Sequence, residues 1–124
     1  MRASSRLSPS TLLLAALFCT AGALHLLKPD LFDRMVPPAT PLSPRAATLL
    51  SGVAELTGGL GLLHSGTRPA ARWGLLALLL AVYPANLYMA QAPEKFGVAP
   101  WVAWARLPLQ PLLMWWVWAA GRRP

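Results

Sequence analysis

The chain has 124 residues, of which 56 % are hydrophobic and only 12 % charged, with a formal net charge of +7. That charged share is about half of what a soluble domain carries, too little polar side chain to cover a globule of this length. The basic residues fall singly between apolar blocks, not in a stripe interleaved with aromatics, which argues against a nucleic-acid interface.

In chain order, Arg2 and Arg6 precede an apolar run, and the first spanning helix is expected over about residues 10–28. Ala21-Gly22-Ala23 has the small-x-small pattern of a signal-peptide cleavage site, but the run continues through Leu24, Leu26 and Leu27, which favours an uncleaved helix. Cys19 is the sole cysteine, so an intrachain disulfide and a cysteine metal cluster are both impossible. Residues 29–44 hold five prolines and form a connection. Its start, Asp30 to Met35, is expected as a short interfacial helix with Leu31, Phe32 and Met35 towards lipid. Further spans are expected over about 45–64, 73–91 and 99–120, joined by turns marked by Gly66 and Pro69 and by Pro93 and Gly97. Short turns join antiparallel neighbours, so the expected fold is all-α, a single domain over 1–124 forming an up-down four-helix transmembrane bundle.

Counting Arg and Lys orients the bundle in a bacterial inner membrane with both termini cytoplasmic. The inner side then carries Arg2, Arg6, Arg68, Arg72, Arg122 and Arg123, and the outer side Lys28, Arg34, Arg45 and Lys95 with Asp30, Asp33 and Glu94. Trp73, Trp116 and Trp118 fall at the inner boundary, and Tyr88, Phe96 and Trp101 at the outer one.

One strongly polar residue interrupts each span: His25, Glu55, Asn86 and Arg106. At 1.5 Å per residue they lie about 5, 14, 8 and 10 Å below the outer boundary. A charge at such depth costs about 2.5–3.5 kcal/mol unless it finds a partner or water. Glu55 and Arg106 are therefore expected to pair, with Asn86, Gln110 and Ser51 taking the remaining donors and acceptors. Pro84, Pro108 and Pro111 deprive the carbonyls of Leu80, Trp104 and Leu107 of their helical partners beside this cluster. Gly52, Gly58, Gly59 and Gly61 allow a neighbour to pack close on the helix carrying Glu55. The same ion pair could equally serve to lock the helix register. His25 and His64 fall at opposite faces and cannot share a metal, and no metal-ligand spacing occurs elsewhere.

Ala21-Gly22-Ala23-Leu24-His25 with Lys28-Pro29-Asp30, Val36-Pro37-Pro38, Leu50 to Leu56, Pro84-Ala85-Asn86 and Trp104 to Gln110 together resemble the DoxX family of small bacterial membrane proteins. The resemblance implies a four-helix membrane fold and a link to quinone or thiol redox chemistry through redox-complex partner subunits. On that basis the expected role is an accessory or binding subunit, without an intrinsic cofactor, that holds a quinone or similar small lipophilic ligand at His25, Ser51, Glu55, Asn86, Arg106 and Gln110. The alternatives are a membrane oxidoreductase or proton-transfer enzyme using Glu55 and His25, and a structural assembly partner.

Overall fold

The structure is a computed structural model and describes residues 7–97 and 99–121. Among these residues it is all-α: α1 (Pro9–Leu27), α2 (Asp30–Asp33), α3 (Pro44–Leu62), α4 (Arg68–Gln91) and α5 (Pro100–Gly121), with a 3-10 turn, Pro93–Phe96, before α5. Each of the four main helices has a proline in its first turn: Pro9, Pro44, Pro69 and Pro100. Proline suits that position, because its fixed φ is helical and the missing N–H would have had no helical acceptor. Two of the starts are also capped. The hydroxyl of Ser8 accepts from the Thr11 amide at 3.1 Å, and that of Ser43 from the Ala46 amide at 3.2 Å.

Pro69 shifts one boundary. Read as a breaker, it puts the start of the third span at Trp73, whereas α4 begins at Arg68 and carries Pro69 inside its first turn. Arg68 is almost fully buried, and its Nε donates to the carbonyl of Leu62 at 2.7 Å. The Thr67 hydroxyl donates to the carbonyl of Gly61 at 2.8 Å. The tight α3–α4 connection thus supplies donors to carbonyls that the end of α3 leaves without helical partners.

The main helices pack as up-down pairs: α1 on α3, α3 on α4, and α4 on α5. α1 and α5 touch over a small area, where the Trp116 indole Nε1 donates to the Ser10 hydroxyl at 2.8 Å. The core lies in two parts. Leu14, Ala15, Phe18, Leu62, Leu75, Leu79 and Val117 fill the end where α1 begins, and Met89, Ala90 and Ala103 form a smaller cluster at the other. Two helices, Pro9–Leu27 and Arg68–Gln91, are long and apolar enough to cross a membrane.

The short helix α2 departs from expectation in its orientation. Leu31 is exposed, but Phe32 stacks on the His25 ring and Met35 packs on the smaller core cluster. Its charges fix this pose: Arg45 donates from Nε to Asp33 Oδ2 at 2.9 Å and from Nη2 to Asp30 Oδ1 at 2.6 Å. Of the charges used for orientation, Arg2, Arg6, Arg122 and Arg123 lie outside the described residues, as does the side chain of Phe96.

Candidate functional site

The polar residues of the four main helices form two pairs in place of one cluster. The first joins α1 to α3. His25 Nδ1 lies 2.7 Å from the carbonyl oxygen of Ala21, one turn earlier on the same helix. A carbonyl can only accept, so Nδ1 carries the hydrogen. The same nitrogen is 3.0 Å from Glu55 Oε1, and both side chains are 15 % exposed. Close as they are, Oε1 is buried without a hydrogen bond of good geometry, because the Nδ1 hydrogen is aimed at Ala21. Phe32 covers the imidazole face with ring centroids 3.7 Å apart and planes inclined by 17°. The result is a carboxylate oxygen that has lost water and has not gained a donor in exchange.

Close backbone approach creates this seam. A Cβ on Gly22 would sit 2.7 Å from both the Gly52 carbonyl oxygen and the Leu56 amide nitrogen, and one on Gly52 would sit 2.7 Å from His25 Cβ. Gly59 meets α1 in the same way through Cys19 and Ala15. Gly52, Glu55 and Gly59 therefore share the face of α3 that α1 covers, since residues three and four apart are neighbours on a helix.

The second pair joins α4 to α5. Asn86 Nδ2 donates to Gln110 Oε1 at 2.9 Å, and Gln110 Nε2 donates to the carbonyl of Leu79 at 2.7 Å. Both residues are buried. The acceptor is Leu79 and not Leu80, the carbonyl that Pro84 leaves without its helical donor, so the side-chain bond goes to a carbonyl next to the one the sequence singled out.

The expected Glu55–Arg106 pair does not form. Arg106 is on the exposed side of α5, and Nη1 donates to Met89 Sδ at 3.2 Å. The reason is helix order. Glu55 faces α1 through the glycine seam, while α5 packs mainly on α4, so their charged groups are directed to different neighbours. Ser51 is half-buried and joins neither pair. Among the described residues, no three His, Cys, Asp or Glu side chains converge as a metal site would need.

Sequence reasoning also passed over Arg72. Its guanidinium carbon lies 4.7 Å from the ring centroid of Trp73 and 4.8 Å from that of Trp118. The adjacency of Arg72 and Trp73 was visible, but the arrival of Trp118 depends on how α5 packs against α4.

At the proline-rich end, the Thr48 hydroxyl and then the Arg45 guanidinium hold the Asp33 carboxyl below the usual carboxylate range. Asp33 Oδ1 and Thr48 Oγ1 are both buried without a well-aligned partner, so the hydroxyl favours the charged form by proximity and not through a closed bond. A lowered pKa means the clamp is fully present above about pH 4, the ordinary aspartate value, and is lost as pH falls through the folded value. Asp33→Asn should raise hydrogen exchange of residues 29–36 several-fold at pH 7. Acidification through the folded value of Asp33 should loosen the wild type in the same way after correction for intrinsic exchange, and should leave the variant little changed.

No curated protein and no solved structure matches the chain. A family model described as a domain of unknown function, DUF8561, matches residues 14–121, from the first core leucine to the end of α5. That stretch contains both polar pairs, the glycine seam and the Arg45 clamp, and on this match the chain belongs to the DUF8561 family.

Proposed function

We propose that the protein is a multi-pass membrane protein of the bacterial inner membrane, with both termini cytoplasmic, acting as a binding or accessory subunit in quinone-linked redox processes. Its seam between α1 and α3 receives a ligand that donates a hydroxyl, such as a quinol. Several features support the membrane reading. In the two helices long and apolar enough to cross a membrane only 28 % of the span-length window is buried, whereas the core helix of a soluble protein would be mostly buried. Leu13, Leu27, Leu80, Trp101, Leu112 and Trp115 are each more than 60 % exposed, an outer surface suited to lipid. At 1.5 Å per residue, even α1 and α3, each of 19 residues, reach about the ~30 Å thickness of a bilayer core. The resemblance to the DoxX family supports the same architecture and the quinone link.

The observation that carries the binding role is the Glu55 oxygen. A buried carboxylate oxygen without a donor is costly to keep, and a quinol hydroxyl would supply what it lacks. His25 lies against the Glu55 oxygen at 3.0 Å without donating to it, and Phe32 offers an aromatic wall to a ring. Electrons would pass between the quinol and partner subunits.

The test is thermal protection of detergent-purified protein by a short-chain quinol. Wild type should gain several degrees, Glu55→Gln and His25→Ala should gain none, and Arg106→Ala should behave as wild type. Equal protection of Glu55→Gln, or none of wild type, would remove the proposal.

The backbone approach at Gly22 and Gly52 favours a second reading, in which His25 and Glu55 serve only to hold α1 and α3 in register. Glu55→Gln would then lower the melting temperature while quinol protected neither protein.

A further inference from the structure

The opposite end of the bundle carries a second unusual group. Arg72 lies one turn after the start of α4, and its guanidinium carbon lies over two indole rings, 4.7 Å from the centroid of Trp73 and 4.8 Å from that of Trp118. Gly121 makes the pose possible: a Cβ there would occupy the space taken by the Arg72 stem. The indoles meet the charge through its central carbon, while the N–H groups of a guanidinium are all carried on its rim. Among its nitrogens, only Nε is sealed from solvent without a partner.

Charge balance then points outside the chain. The sequence has four acidic residues: Asp30, Asp33, Glu55 and Glu94. Asp30 and Asp33 are on Arg45, Glu55 is on His25, and Glu94 is in the 3-10 turn at the far end of α4. No acidic side chain is left for the end where α4 begins and α5 finishes. The same end is rich in exposed indoles, with Trp73 60 %, Trp115 65 % and Trp118 37 % exposed. Indoles collect at headgroup depth, where their apolar rings and N–H groups meet both phases.

We infer that Arg72 binds a phosphate oxyanion presented by a membrane lipid headgroup, taken edge-on by a guanidinium that Trp73 and Trp118 flank. Planar N–H pairs match phosphate oxygens two at a time, which a lysine ammonium cannot reproduce. The two rings restrict the side chain beforehand, so little of its freedom is lost on binding. This assignment rests on the reading of the chain as a membrane protein, but is independent of the quinol site.

The experiment uses native mass spectrometry of the full chain released from detergent with added lipid. Wild type should retain phosphatidylglycerol and release diacylglycerol of the same acyl chains. Arg72→Gln and Arg72→Lys should each lower phosphatidylglycerol retention about ten-fold, the lysine variant because it keeps the charge and loses the planar edge. Millimolar inorganic phosphate should fail to displace the lipid, and displacement would assign the site to the free ion. Equal retention of phosphatidylglycerol and diacylglycerol by wild type would overturn the proposal even if neither variant folds, and so would equal retention by Arg72→Gln. A chain that purifies without detergent would instead defeat the membrane reading itself. Membrane-fraction protein with no phosphate preference defeats only this site.

Discussion

Gly22→Ala should part α1 from α3 and cost the fold about 3 kcal/mol, at the upper end of what overpacking usually costs. A methyl group is small, but at this position it meets backbone. Its nearest neighbours would be the Gly52 carbonyl oxygen and the Leu56 amide nitrogen, both at 2.7 Å. Neither atom can swing aside as a leucine end would, so the helices themselves must separate. That separation also draws His25 away from Glu55, which adds the loss of a buried polar contact to the loss of packing. Gly74 provides the control. A Cβ there meets nothing within 4 Å, so Gly74→Ala should gain about 0.5–1 kcal/mol from helix propensity alone. Denaturant titration in mixed micelles, followed by tryptophan fluorescence, reads both. Equal stability of the two variants would mean that the seam is looser than its geometry.

The second large effect is expected at Gln110. This side chain takes one hydrogen bond from Asn86 and gives another to the Leu79 carbonyl. Gln110→Leu leaves the buried Asn86 amide without its acceptor and takes a second donor from the Leu79 carbonyl. Orphaning a buried polar group costs about 1–3 kcal/mol, while hydrogen bonds between membrane helices average only about 0.6 kcal/mol by double-mutant cycles. The first figure should prevail here, because Asn86 and Gln110 are both almost fully buried. We expect a loss of about 2 kcal/mol for Gln110→Leu. Adding Asn86→Leu should return about 1 kcal/mol of it, since the orphaned amide disappears with its owner. A double mutant that simply sums the two single losses would show that the pair is not coupled.

Much of this was legible in the chain itself, and the reasons differ from part to part. Helix positions followed from the length and spacing of apolar blocks, and three of the four main helices begin within a residue of expectation. α4 was misjudged at its start because a proline suits a first turn as well as it ends a helix. Cost singled out His25, Glu55, Asn86 and Arg106, one in each apolar stretch; Asn86 is buried, His25 and Glu55 are half-buried, and Arg106 is exposed. Their partners were not legible. Depth along a helix can be counted from sequence, but azimuth depends on which neighbour each face meets. Glycines on α3 were read as a packing face, yet nothing in the chain states that α1 is the helix that lies there. Phe32 misled for a related reason: four residues of helix do not fix which side is down. The stack on His25 and the Arg45 clamp decide it.

If the proposed membrane reading holds, the prolines at the helix starts carry a consequence for the surrounding lipid. The residue before a proline is disfavoured in helical geometry, so α1, α3 and α5, which begin on their prolines, cannot grow by winding in another turn upstream. In a thicker or thinner bilayer such a rod has to lean, or the lipid has to deform around it. Rods of fixed length that share glycine-tight contacts lean together, so membrane thickness would be felt as a change of tilt common to the whole bundle.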